Sequence, residues 1–281
     1  MRWFWLGTFF LLCNSALAQV YTQLDFPGGI STTLWSINRE GTVIGDFIVR
    51  TGRRYGFTFD TSGIFRSIDV SGAVDTGLRG INVHGSIAGW YRDTAGTNHG
   101  FLRRRGEIRP FGYPEGTDTR GLDINGRADI VGSYGDAVGL THGFIRRVVT
   151  FSTLDFPGAR LTVVSGINNS RDVVGYYEDE FGLMHGFMLS EQGEYVSLDV
   201  PEAIETRAEG INAMGDIVGS FQDGSGVHGF LMRRERFKTL DFPGAVSTVA
   251  TDINDSGVIV GYFQFEDDRQ HGFLLEGQNL E

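Results

Sequence analysis

An all-β fold, a six-bladed β-propeller, is predicted by three observations. A repeat of 42–44 residues occurs six times, each copy holds four short strand-forming segments, and the chain opens on a strand that its last copy lacks. The dipeptide Ile-Asn, followed by a turn and Val-Gly or Ala-Gly, sets the register, with asparagines at Asn38, Asn82, Asn125, Asn168, Asn212 and Asn254. A Gly-Phe pair recurs at Gly56, Gly100, Gly143, Gly186, Gly229 and Gly272, preceded by histidine in every copy but the first, where Tyr55 stands. A threonine lies six residues before each asparagine, from Thr32 to Thr248.

The elements follow in order within a repeat. An innermost strand runs from the threonine to Ile-Asn, a second covers Val-Gly-Tyr, a third begins at His-Gly-Phe and an outermost one ends near Leu-Asp-Phe. Valine, isoleucine, phenylalanine and tyrosine dominate these segments, as strands require. "VIVGYF" (258–263) is apolar on both faces, so its sheet must be covered on both sides. Asparagine opens the first hairpin turn because its side chain can bond to backbone two residues on, and the glycine after it supplies a positive φ. Ala128 and Arg171 replace that glycine and should strain their hairpins. "TLDFPGA", at 153–159 and again at 239–245, is outer strand plus the connector to the next blade. The related "QLDFPGG" (23–29) lies in the spare first strand, which should pair with the last blade and close the ring, removing two exposed sheet edges.

The consensus, with its His-Gly-Phe core and its Leu-Asp-Phe-Pro-Gly-Ala close, resembles the bacterial extracellular repeats of the HAF family. The resemblance spans residues 19–281. It implies an exported repeat protein and brings no established activity.

"MRWFWLGTFFLLCNSALAQ" has the layout of a secretory signal: Arg2, an apolar run, then small residues ending at Ala18. Residues 1–18 are expected to be cleaved, leaving one propeller domain over 19–281, periplasmic or extracellular. Leu12 is too large for lipidation of Cys13, and no other cysteine exists to form a disulfide. The net charge of −11 argues against nucleic acid, and no membrane span is expected. A monomer is expected.

Recurring polar residues read as scaffold. Hairpin geometry sets His142 against Asp155, His185 against Asp199 and His228 against Asp241, and ring closure sets His271 against Asp25. Such pairs point in different directions around a ring, so they should satisfy each other rather than converge on an ion. The Tyr-x-Asp-x-x-Gly loops lack the carboxylates of a calcium loop. Residues 265–270, "FEDDRQ", are the most acidic loop. No metal or cofactor is expected.

Function should lie in residues that break the repeat. On the innermost strand the positions one and three after the threonine vary most, and Trp35, Arg79, Arg120, Arg207 and Glu209 there are the ligand-binding candidates at the channel mouth. The competing expectation is that they pack between blades. Tyr55 would face Asp69 without a histidine, and His99 would face Gly112 without an aspartate, so these two are the catalytic candidates, as a proton-abstracting couple. The leading expectation is a non-catalytic exported protein that binds an extracellular polysaccharide or protein. The alternatives are a polysaccharide lyase or hydrolase and a structural or adhesive surface protein.

Overall fold

The computed structural model describes residues 20–277, so the expected signal at 1–18 lies outside the described residues. Twenty-four strands and no helix are present among them. After β1 (Val20–Gln23), the first repeat gives β2 (Ser31–Ile37), β3 (Val43–Ile48), β4 (Arg54–Phe59) and β5 (Phe65–Ile68). The second gives β6 (Asp75–Ile81), β7 (Ile87–Arg92), β8 (Asn98–Arg104) and β9 (Glu107–Phe111). The third gives β10 (Arg120–Ile124), β11 (Ile130–Gly135), β12 (Thr141–Arg147) and β13 (Thr150–Thr153). The fourth gives β14 (Leu161–Ile167), β15 (Val173–Glu178), β16 (Met184–Leu189) and β17 (Tyr195–Leu198). The fifth gives β18 (Glu205–Ile211), β19 (Ile217–Gln222), β20 (Val227–Arg233) and β21 (Arg236–Leu240), and the sixth β22 (Ser247–Ile253), β23 (Ile259–Gln264) and β24 (Gln270–Glu276).

The first four repeats are separate four-stranded antiparallel sheets. The last two share an eight-stranded sheet, in which one parallel bridge, Val227 to Ser247, links β20 to β22. β1 completes that sheet by pairing antiparallel with β24, Val20 opposite Glu276 and Gln23 opposite Phe273. Each innermost strand touches the next, and β22 returns to β2, so the sheets form a closed ring.

Apolar clusters fill the junctions between repeats. The Gly-Phe phenylalanines (Phe57, Phe101, Phe144, Phe187, Phe230 and Phe273) are fully buried, each worth about 2–3 kcal/mol of transfer free energy. In five of the six repeats the glycine beside the phenylalanine lets the next sheet approach: a Cβ on Gly272 would meet Leu34 Cγ at 2.7 Å. Leu34, Val43 and Phe57 pack with Val260 and Leu274, so the first and last repeats share a core.

The "DFPGA" segment is a turn. Ala159 N–H donates to Phe156 O at 3.1 Å, and the recurring threonine holds the turn to the following strand: Thr162 Oγ1 accepts from Phe156 N–H at 3.1 Å. The same bond occurs at all six connectors, from Thr32 to Thr248. Phe156 then stacks on Tyr177 of the next sheet, ring centroids 3.7 Å apart. The aspartate sits just beyond the outer strand rather than ending it. Its carboxylate extends the ladder in place of backbone, as where Gly143 N–H donates to Asp155 Oδ1 at 3.2 Å.

At the opposite face the asparagines form a belt. Each Oδ1 accepts turn N–H groups, and each Nδ2 donates to the carbonyl oxygen of the asparagine in the next repeat, as Asn82 does to Asn125 O at 2.9 Å. The series runs through all six and returns from Asn254 to Asn38. Ala128 and Arg171 adopt φ of 64° and 71°. Both therefore hold the left-handed conformation that glycine holds in the other copies.

Candidate ligand site in the central channel

Every innermost strand carries a β-bulge, and the extra residue is Trp35, Arg79, Leu122, Ser165, Glu209 or Thr251. A bulge re-aims the side chain of the unpaired residue. Two bulge residues serve the scaffold: Ser165 Oγ donates to Ala208 O at 2.6 Å and Thr251 Oγ1 to Leu34 O at 2.9 Å, each in the next repeat. Trp35, Arg79 and Glu209 take up the same position and line the channel.

Two residues earlier, the innermost strand pairs with the second strand, and the sizes of the partners are complementary. Gly77 faces Trp90, Val163 faces Tyr176 and Val249 faces Tyr262, whereas Arg120 faces Ser133 and Arg207 faces Ser220. The large member comes from the second strand in repeats 2, 4 and 6 and from the innermost strand in repeats 3 and 5. A Cβ on residue 77 would lie 2.7 Å from the Trp90 indole, so glycine there is a condition of the tryptophan's placement.

These side chains make a wall of alternating aromatic rings and guanidiniums. Arg79 Cζ lies 3.8 Å from the Trp35 ring centroid and 5.6 Å from that of Trp90, and Arg120 Cζ lies 5.6 Å from the other side of the series at Trp90. Trp35 in turn meets Tyr262 at 5.9 Å, and Arg207 Cζ lies 5.2 Å from Tyr176. Such cation–π contacts contribute about 0.5–2 kcal/mol each, more as they are desolvated.

The candidates differ in how far protein groups already engage them. Asp46, buried, accepts from Trp35 Nε1 at 2.9 Å and from Arg79 at 2.7 Å, and also pairs with Arg54. Trp35 and Arg79 are thereby fixed to the wall. Arg120 and Arg207 are held loosely, by Asp118 at 3.2 Å and Glu205 at 3.5 Å, and both side chains are more than two-fifths exposed. Glu209 has no hydrogen bond or ion pair to any described residue, and burial pushes its carboxyl up to about 7, with Arg207 and Arg79 pulling the other way. Tyr176 and Tyr262 are pushed up to about 12, by burial first and then by Glu209, so both stay neutral hydroxyls.

Two cavities open along this wall. One of about 270 Å³ lies between repeats 5 and 6, against Glu205, Arg207, Glu209 and Tyr262. One of about 620 Å³ lies between repeats 2 and 3, against Arg54, Trp90, Arg92 and Arg120. Toward the asparagine belt the channel narrows, where Asp123 and Asp252 act on each other. Burial and Asp252 push Asp123 up to about 8, although its carboxylate accepts from Ile124 N–H and Ile167 N–H.

The histidines stand at the face of the second-to-third strand turns. His142 Nδ1 lies 2.7 Å from Asp155, His185 Nδ1 3.0 Å from Asp199, His228 Nδ1 2.9 Å from Asp241 and His271 Nδ1 2.8 Å from Asp25. A second carboxylate, not foreseen from the sequence, completes three of them. Asp136, Asp179 and Asp223 lie 3.3–3.4 Å from the other ring nitrogen of His142, His185 and His228. Each also caps its own turn, as Asp136 Oδ1 does by accepting from Val138 and Leu140 N–H.

Tyr55 and His99 are not brought together. Arg53 covers Tyr55 at 4.5 Å and pairs with Asp69 at 2.6 Å, filling the place of the absent histidine. His99 is paired as well, with Asp93 at 2.8 Å, and stacks on Tyr91. Each is consumed within its own repeat, so no proton-abstracting couple forms. In the acidic loop 265–270, Asp267 lies 3.8 Å from Arg269, and among the described residues no group of three or more histidine, cysteine, aspartate or glutamate side chains is placed to hold a metal ion. No helix of the described residues is long and apolar enough to cross a membrane. Trp90, Tyr176 and Tyr262 are wall residues that were not among the candidates read from the sequence. The signal for them was the variable residue after Val-Gly or Ala-Gly on the second strand.

The fold defines a β-propeller protein, and comparison with solved structures agrees. A six-bladed fungal lectin from Aleuria aurantia, described with a fucose recognition mode, matches with TM-score 0.55 at 10% identity over 87% of this chain and 91% of its own. The β-propeller domain of the trilobed protease from Pyrococcus furiosus, described as an open velcro topology, matches with TM-score 0.53 at 8% identity over 88% and 97%. A gluconolactonase from Xanthomonas campestris matches with TM-score 0.53 at 9% identity over 89% and 87%. No protein-family model matches the chain, and no curated protein matches its sequence.

Proposed function

We propose that the chain is an exported, six-bladed propeller of HAF-like repeats that binds an extracellular carbohydrate at the mouth of its channel. The observation that carries the reading is the wall in which Trp90, Tyr176 and Tyr262 alternate with Arg79, Arg120 and Arg207, with one cavity against Trp90 and Arg120 and another against Arg207 and Tyr262. Flat aromatic faces stack on sugar rings, and guanidinium forks hold hydroxyl and acidic oxygens. The likeness to a lectin of the same general fold supports the reading without assigning a sugar. Counting the eight-stranded sheet as two blades rests on its single parallel bridge and on the six-membered asparagine belt. Export rests on residues 1–18, and mass spectrometry of secreted protein beginning at Gln19 would test it.

Binding is tested by titration calorimetry against a panel of plant and bacterial oligosaccharides. Trp90→Ala combined with Arg120→Ala should abolish binding of whichever glycan the parent takes, with the melting temperature kept within a few degrees. Unchanged affinity in that double variant would remove the channel as the site.

A further inference from the structure

Three polar groups of the channel have no protein partner among the described residues: the Glu209 carboxyl and the hydroxyls of Tyr176 and Tyr262. Of the two loosely held guanidiniums, Arg207 acts on all three groups and Arg120 on Tyr176. We infer that the channel takes a carboxylate-bearing saccharide, its anionic group held by Arg120 and Arg207 over the Tyr176 ring, and that Glu209 takes up a proton as the ligand binds. This rests on the carbohydrate reading above and names the class of sugar.

Arg207 Cζ lies 5.2 Å from the Tyr176 ring centroid, and Arg120 of the preceding repeat adds a weaker electrostatic pull on the same tyrosine. Glu209 lines the 270 Å³ cavity with Arg207 and Tyr262. The charged and titratable groups around Glu209 are Arg207 and Glu205 on its own strand, Tyr176 on β15, Tyr262 on β23 and Arg79 on β6. On β22 the carboxylate is Asp252, engaged by Ser36 and the Ile37 N–H at the narrow end. Glu209 thus meets two cations at a distance and no donor in contact.

A second anion entering this space disfavours the charged form of Glu209. Protonation removes that repulsion and converts the carboxyl into a hydrogen-bond donor toward the incoming carboxylate. Because burial pushes the free carboxyl up to about 7, the exchange falls in an accessible range. A neutral sugar would meet no such repulsion and would leave the proton balance unchanged.

The test uses trigalacturonic acid and the same trimer with its carboxyls reduced to alcohols. The acidic trimer should bind at least tenfold tighter at pH 6 than the reduced one. Its affinity should fall by about tenfold between pH 6 and 8.5, where its own carboxyls do not titrate. Calorimetry at pH 7.5 in two buffers of different ionisation enthalpy should show proton uptake by the protein. Glu209→Gln should bind the acidic trimer with affinity independent of pH over that range. Arg120→Ala with Arg207→Ala should lose the preference for the acidic trimer. Equal affinity for the two trimers, or binding without proton uptake, would overturn the inference while leaving the carbohydrate reading in place. Binding of no oligosaccharide in the panel would overturn both.

Discussion

Asn254 Nδ2 donates to the carbonyl oxygen of Asn38 at 3.2 Å, tying the last asparagine of the belt to the first. The same side chain accepts from Ser256 and Val258 N–H through Oδ1, each at 3.0 Å. One amide therefore satisfies a hairpin turn and closes a ring. Asn254→Ala takes the acceptor from the Ser256 and Val258 N–H groups and leaves Asn38 O with the Gly41 N–H alone, so stability should fall by about 1–2 kcal/mol. Urea denaturation followed by tryptophan fluorescence would measure it; a loss below half a kcal/mol would mean water replaces the amide at no penalty.

The β1–β24 pairing is the other closure. Tyr21 packs edge-on against Phe242 and Phe273, and Asp25 bonds to His271. Removing residues 20–25 exposes the β24 edge and those rings. The shortened protein should aggregate or melt more than 10 °C lower, at about 2–4 °C per kcal/mol for a chain of this size. Size-exclusion chromatography and a thermal melt would check it.

Stability should also decline above neutral pH. Burial opposes the charge on His142, but the carboxylates of Asp155 and Asp136 outweigh it and hold its pKa above 6.5; His185 is held up in the same way by Asp199 and Asp179. Both ring nitrogens face acceptors, and only the imidazolium offers two donors. A base with a raised folded pKa stabilises fully below 6.5, and its contribution is lost as pH rises through the raised value. Replacing both histidines with glutamine should flatten the fall in denaturation midpoint above pH 6.5. An unchanged slope would place its origin elsewhere.

Ala128 holds a φ of 64° in a turn where four of the other copies have glycine. Ala128→Gly relieves a left-handed conformation that disfavours a Cβ by about 1–2 kcal/mol, against a glycine entropy term of about half that. The net expectation is a gain of roughly half to one kcal/mol by chemical denaturation. Arg171 is a poorer test, because its side chain also pairs with Asp129 and Glu191.

Gly77→Ala tests the channel wall. Its Cβ would displace the Trp90 indole, whose position depends on the space above residue 77. A blue or red shift in tryptophan emission together with weakened glycan binding is expected. Binding at parental strength despite a displaced indole would mean that Trp90 is not the stacking surface.

The sequence by itself determined the repeat, the four strands in each copy and the spare strand that β24 takes up, because these depend on periodicity, turn chemistry and counting. The facing of His185 and Asp199 also followed from hairpin register alone. Tertiary structure decided the rest. The bulge that turns Trp35, Arg79 and Glu209 into the channel leaves no mark in composition, since it is a slip of one residue between two strands. Trp90 looked like one more strand aromatic, and its place in the wall depends on Gly77 opposite and on Arg79 and Arg120 from two repeats. His99 looked unpaired because its partner, Asp93, lies in the turn before it rather than across the hairpin. Local pattern fixes which backbone atoms bond. Which side chains meet across the axis depends on the curvature of the whole ring, and no single stretch of sequence contains that.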